Sequence, residues 1–183
     1  MNFIKTDIDG VYIIEPKIFK DTRGYFFESY NESDFIRNGI NCRFIQDNQS
    51  KSSYGVIRGL HCQLGVHSQA KLVRVLKGAV LDVAVDIRQN SPTFGKHVAV
   101  ELSSDNQRQL FIPRHFLHGF SVLTDEAIFA YKVDNFYCKE SEFSIRFDDP
   151  DIGVDWKIPG DRVLVSDKDR MGKVLRDVIS DWN

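Results

Sequence analysis

The sequence has little excess charge, few cysteines and no long apolar run. Its 183 residues include 24 Lys or Arg and 26 Asp or Glu, for a formal net charge of −2. No global basic field is present, so no nucleic-acid partner is expected. The three cysteines, Cys42, Cys62 and Cys138, are odd in number and far apart. That argues against a disulfide framework and for a reducing compartment, so a cytoplasmic location is expected. No C-x-x-C pair occurs, which speaks against a structural zinc site. No stretch is apolar for long enough to span a bilayer, so no membrane partner is expected. Met1-Asn2-Phe3-Ile4-Lys5 is not followed by the apolar core of a secretory leader. Repeats, low-complexity segments and linkers are absent too, which predicts one domain over residues 1–183.

What is present is β-forming sequence. Val11-Tyr12-Ile13-Ile14 is a short apolar run closed by Pro16. Gly24-Tyr25-Phe26-Phe27-Glu28-Ser29-Tyr30 is aromatic and follows the turn-like Asp21-Thr22-Arg23. Residues 71–75 and 79–87 read as strands split by Lys77-Gly78. In the second, Val83 and Val85 alternate against Asp82, Ala84 and Asp86. After the turn at Ser91-Pro92-Thr93-Phe94-Gly95, strands are predicted near 97–102, 108–112, 119–123, 127–133 and 143–147. Turn signals this regular predict a sandwich or barrel, not alternating βα units. Fourteen phenylalanines suit a broad core or an aromatic-lined cleft. Asn31 is a predicted cap for a short helix through Ile36, with Gly39 ending it. Ser166 is a predicted cap for a C-terminal helix with Val174, Leu175 and Val178 on one face. Residues 148–160 read as a loop, either a lid or a connection to that helix.

The most informative stretch is Gly55-Val56-Ile57-Arg58-Gly59-Leu60-His61-Cys62-Gln63. It sets a permanent cation and a titratable imidazole in a segment that otherwise reads as a strand. Alternation puts His61 and Gln63 on one face. Arg58 falls on the other face unless Gly59 marks a bulge. A base beside a guanidinium suits an enzyme acting on a phosphorylated substrate. The plainer alternative is an edge strand with two solvated polar groups.

Other polar groups stand in apolar surroundings. Lys71 and Arg74 differ in parity, so one of them points into the sheet's concave side. A lysine there can stabilise an enolate or bind phosphate; at a strand mouth it is merely solvated. His118, between Leu117 and Phe120, fits a core histidine as well as a site residue. Tyr131 fits a half-buried strand tyrosine or a proton donor. Asp169 fits a charge in a helix's first turn or the carboxylate that orients an imidazole. His61-x-Gln63 with the later His118 could suggest a metal site, but a neutral amide is a poor ligand beside imidazole. No metal is expected.

Taken together, several ordered motifs resemble the dTDP-4-dehydrorhamnose 3,5-epimerase family. They are Asp21-Thr22-Arg23-Gly24-Tyr25-Phe26-Phe27-Glu28, Gln46-Asp47-Asn48-Gln49-Ser50, the Gly55 to Gln63 stretch, and Gln69-Ala70-Lys71-Leu72-Val73-Arg74. Asp82-Val83-Ala84-Val85-Asp86-Ile87-Arg88, the Ser91 turn and the Ile112 to Phe120 segment continue the match, which runs from about residue 3 to Asp169. The resemblance implies an all-β, cupin-like double-sheet jelly roll with a few short helices, one of them near the C-terminus. It also implies a homodimer that exchanges N-terminal strands.

The implied reaction epimerises C3 and C5 of dTDP-4-dehydro-6-deoxy-D-glucose, giving dTDP-4-dehydro-L-rhamnose. The C4 carbonyl acidifies both neighbouring carbons, because each carbanion is delocalised as an enolate. By resemblance, His61 is the base and Tyr131 the acid on the opposite face of the ring. Asp169, or Asp167 two residues away, orients His61, and Lys71 stabilises the enolate oxygen. No hydride moves, so no cofactor is expected. Arg23 and Arg58 are implied to hold phosphate or neighbouring nucleotide groups. Glu28, Gln46 and Asn48 are implied to contact thymidine or ribose, and Tyr137 or Phe136 to stack on thymine. His118, Glu142 and Lys168 complete the implied binding set. A 3-epimerase acting on one centre, and a non-catalytic jelly roll that binds nucleotide sugars, are the alternatives.

Overall fold

The β-forming runs pair into two antiparallel sheets whose inner faces meet. The computed structural model describes residues 1–179. In chain order the strands are β1 (Asn2–Lys5), β2 (Tyr12–Glu15), β3 (Phe19–Asp21), β4 (Gly24–Phe26), β5 (Gln46–Ser53) and β6 (Ile57–Gln63). They continue as β7 (Lys71–Lys77), β8 (Ala79–Asp86), β9 (His97–Ser103), β10 (Gln109–Ile112), β11 (Phe116–Val122), β12 (Glu126–Val133) and β13 (Glu142–Ser144). One sheet runs β1-β2-β10-β7-β12-β5, the other β13-β6-β11-β8-β9. This is a double-sheet jelly roll. β3 and β4 form a separate hairpin.

Side-chain parity builds three apolar layers. Val73, Val75, Phe129, Val80, Ala84 and Phe120 fill the space between the sheets. The outer face of the β6-containing sheet presents Leu60, Leu81, Val83, Val85 and Leu117, covered by Ile152, Trp156, Leu175 and Val178. The outer face of the β7-containing sheet presents Ile14, Leu72 and Phe111 beneath Phe35 and Ile40. The alternation in β8 therefore runs opposite to a half-solvated strand. Leu81, Val83 and Val85 face outward under the C-terminal segment, while Asp82, Ala84 and Asp86 are fully buried.

Some expectations are corrected. The aromatic run from Gly24 stops being a strand after Phe26, and Tyr25 and Phe26 are exposed on the hairpin. β5 was not predicted, because Gln-Asp-Asn-Gln-Ser-Lys-Ser-Ser has poor strand composition. It pairs with β12 along its whole length, from Gln46↔Val133 to Ser53↔Glu126. Pairing to a well-formed neighbour outweighs local propensity there.

Asn31 does cap α1 (Glu32–Arg37), its Oδ1 accepting from the N–H groups of Ser33 and Asp34. The predicted C-terminal helix is two helices, α2 (Asp167–Arg170), capped by Ser166, and α3 (Leu175–Ile179). Between them Gly172 lies against the Arg146 backbone, where a Cβ would come within 2.7 Å of Arg146 N. That close approach fixes the break. Residues 148–160 are a packed connection: Trp156 is buried, and its Nε1–H donates to Phe147 O at 2.7 Å.

Asp86 shows how the fold responds to acid. Its carboxylate accepts from Arg88 Nε at 2.9 Å and Nη2 at 2.7 Å, and from the hydroxyls of Ser91 and Thr93 at 2.6 Å each. Burial pushes its pKa up, but these hydrogen bonds outweigh burial and bring it from 3.8 to about 2. A depressed carboxyl stabilises the fold above its unfolded pKa, and that stabilisation fades as pH falls through the folded value. Asp86 thus contributes about 2 kcal/mol at pH 6 that is lost between about pH 4 and pH 2. Urea midpoints measured across that window should fall more steeply for the wild type than for Asp86→Asn.

Candidate active site

The Gly59 bulge decides which side chains meet. Opposite β11, His61 pairs with His118 and Arg58 with Phe120, so β6 carries one extra residue between them. Gly59 has φ +138°, and a Cβ on it would come within 2.6 Å of Gly119 Cα. Only glycine fits both the backbone angle and the approach. The extra residue reverses parity, and Arg58 and His61 both reach the inner face, where they line one cavity of about 570 Å³. That volume suits a small-molecule ligand.

The cavity lies between the two sheets. β6 supplies Arg58 and His61, β11 supplies His118 and Phe120, β7 supplies Lys71, and β12 supplies Phe129 and Tyr131. Residues 163–166 and 168–170 form another wall. They are held along β6 by the Val56↔Leu164 bridge and by Ile57 N–H donating to Leu164 O at 2.9 Å. The Ser166 cap then turns the chain so that Asp169 points inward at 4% exposure.

Asp169 Oδ1 makes a short contact with His61 Nε2, while Asp167 is exposed. Burial pushes the Asp169 carboxyl up, but hydrogen bonds from His61 and Ser166 outweigh it and hold the carboxyl below its usual range. A carboxylate only accepts, so Nε2 carries the hydrogen and Nδ1 keeps the lone pair. Across the cavity, burial raises the Tyr131 phenol against the opposing pull of Arg58. It stays a proton donor at neutral pH. Among the described residues its hydroxyl has no hydrogen-bond partner.

Lys71 likewise has no ion pair among the described residues. Burial lowers its pKa, opposed by Cys62 and Asp82. Arg58 is steadied by Nε donating to Ser52 Oγ at 3.1 Å. Burial lowers the His118 imidazole despite Asp82, whose Oδ2 lies 2.9 Å from Nε2.

The remaining expected residues divide. Lys168 lines the cavity and pairs with Glu142 at 2.6 Å, and Glu142 interacts in turn with Tyr137. Phe136 and Tyr137 are both exposed near this rim. Asn48 lines a smaller cavity of about 280 Å³, and its Oδ1 accepts from Gln46 Nε2 at 2.8 Å. Arg23 and Glu28 do not line the main cavity. Arg23 pairs with Asp21 at 2.6 Å, and Glu28 accepts from Asn31 Nδ2 at 3.2 Å. Gln63 bonds the backbone of His67, Phe136 and Cys138, which gives its amide a structural use. No cluster of three or more His, Cys, Asp or Glu able to hold a metal occurs among the described residues. Sequence reasoning gave no site role to Gln49, Ser50, Arg170 or the 163–165 wall; the motif containing Gln49 and Ser50, and the apolar run Val163-Leu164-Val165 before the Ser166 cap, were the usable signals.

Proton removal from one sheet's side and proton delivery from the other's is the chemistry of an isomerase that inverts an acidified carbon. Residues 5–177 match the family model for dTDP-4-dehydrorhamnose 3,5-epimerase, and the chain belongs to that family. The dTDP-4-dehydrorhamnose 3,5-epimerase of Shigella flexneri is 53% identical over 178 residues, covering 97% of each chain. A crystal structure of the Legionella pneumophila 3,5-epimerase in complex with dTDP-4-keto-L-rhamnose superposes with a TM-score of 0.93. It is 50% identical and covers 98% of this chain and 95% of its own. A 3′-monoepimerase from Streptomyces bikiniensis in complex with dTDP-quinovose is 31% identical with a TM-score of 0.88, covering 96% and 88%.

Proposed function

We propose that the protein epimerises C3 and C5 of dTDP-4-dehydro-6-deoxy-D-glucose through enolates, yielding dTDP-4-dehydro-L-rhamnose. The observation that carries the reading is the His61–Asp169 pair standing across the cavity from Tyr131. His61 takes the proton through Nδ1, and Asp169 holds the ring in that tautomer. Tyr131 delivers a proton to the opposite face of the sugar. Lys71 meets the charge that develops on the C4 oxygen. Because the intermediate is stabilised in place, the reaction runs without a cofactor.

Arg58 and Lys168 hold the diphosphate, and His118 touches the sugar. Glu142 shapes the rim, Tyr137 stacks on thymine, and Gln46 and Asn48 contact the nucleoside. The working form is a cytoplasmic homodimer. Arg23 and Glu28, off the cavity of their own chain, serve the site of the second copy.

The test is incubation with dTDP-4-keto-6-deoxyglucose in deuterated water, followed by NMR. Two solvent deuterons, one at C3 and one at C5, are expected with inversion at both carbons. One deuteron at C3 alone would favour a mono-epimerase, a reading favoured by the 3′-monoepimerase relative. Binding with no exchange would leave only a nucleotide-sugar binder.

A further inference from the structure

Behind the cavity wall, against His118, lies a carboxylate that the reaction scheme leaves unused. Asp82 sits in β8, fully buried, on the inner face between the sheets. Its Oδ2 lies 2.9 Å from His118 Nε2. Its Oδ1 is buried with no hydrogen-bond partner. A bare buried carboxylate oxygen is costly unless a cation stands within electrostatic reach. Lys71, from the facing sheet, is that cation and feels the Asp82 charge. The His118 ring is fixed a second way by stacking on Phe129, with centroids 6.0 Å apart and planes 23° apart.

We propose that Asp82 is a positioning residue for epimerisation. Its Oδ2 fixes His118 as the Nε2–H tautomer, and its Oδ1 supplies the counter-charge that holds the Lys71 ammonium at the reacting carbonyl. A carboxylate acceptor forces the hydrogen onto Nε2 and leaves the His118 Nδ1 as an acceptor for a sugar hydroxyl. His118 then binds as a neutral ring and takes no part in proton transfer. The titratable groups facing His118 are Asp82 from β8, Lys71 from β7 and His61 from β6. Two of these are basic, so a second positive charge on His118 is opposed from both sheets. The inference rests on the epimerase reading for its kinetic consequence but not for its tautomer.

Nitrogen-15 NMR of the wild-type histidine rings tests the tautomer directly. The expected result is one His118 nitrogen protonated and hydrogen-bonded, the other bare, from pH 6 to 9. A doubly protonated ring, or a hydrogen on Nδ1, overturns the proposal. For Asp82→Asn, kcat is expected to fall roughly 10- to 100-fold, the loss typical of a charged hydrogen-bond partner. KM and dTDP affinity should stay within about twofold, because the diphosphate grip is elsewhere. An unchanged kcat overturns the proposal, and so does an equal fall in kcat and dTDP affinity in a folded variant. If that variant does not fold, the wild-type tautomer decides alone. Failure of the epimerase reading shows separately, as absent deuterium exchange in the wild type.

Discussion

His61→Ala is expected to slow epimerisation by roughly 100- to 10,000-fold, the range a positioned general base contributes. Deuterium incorporation at C3 and C5 should fall together, because one base serves both carbons. The β6-containing sheet offers no substitute. Arg58 is a permanent cation, and burial together with the neighbouring Lys71 opposes a second proton on His118. Binding of dTDP should persist within a few-fold, since Arg58 and Lys168 are untouched. The variant leaves Asp169 buried without its imidazole, at a cost of about 1–3 kcal/mol. Turnover must therefore be compared at a temperature where both proteins are folded. Exchange continuing at the wild-type rate would remove His61 from the role.

Tyr131→Phe should separate proton removal from inversion. The base remains, so solvent deuterium still enters the sugar, but His61 returns it to the face it came from. Inverted product is expected to drop by roughly 100-fold or more, with exchange under retention as the surviving reaction. KM should change little, because in the proposed scheme Tyr131 serves the reacting carbon and Arg58 and Lys168 serve the nucleotide. Stability should be unchanged. The hydroxyl faces the cavity and has no partner among the described residues, so its removal breaks no hydrogen bond of the fold. Inversion at an undiminished rate would sink Tyr131 as the acid.

The strands legible in the sequence were those whose apolar residues alternate or cluster: β2, β6 and those from β7 to β12. β5 was invisible, because its inward positions are Gln, Asn and Ser, which earn no local strand preference; they pair with β12 and line polar cavities. The alternation in β8 was legible, but not which of its faces is the inner one. Val83 and Val85 pack under a C-terminal segment far away in sequence, so the apolar stripe marked the outer layer and the aspartates marked the inner one. Strand parity alone left two placements for Arg58, and the bulge at Gly59 is the one that the pairing with β11 selects. The sequence also indicated His61, Lys71 and Tyr131 as odd polar groups in apolar strands. It could not say that Arg23 and Glu28 fall outside their own chain's cavity, because hairpin direction is set by long-range contacts.

The His61–Asp169 contact joins positions 108 residues apart. Closing so long a loop costs chain entropy before the contact returns anything. Both sheets can therefore form while residues 163–170 are still detached, and such a species has a base without its orienting carboxylate. In a chain made from the N-terminus onward, every strand of both sheets, the last ending at Ser144, is present before the carboxylate of Asp169 is joined to it.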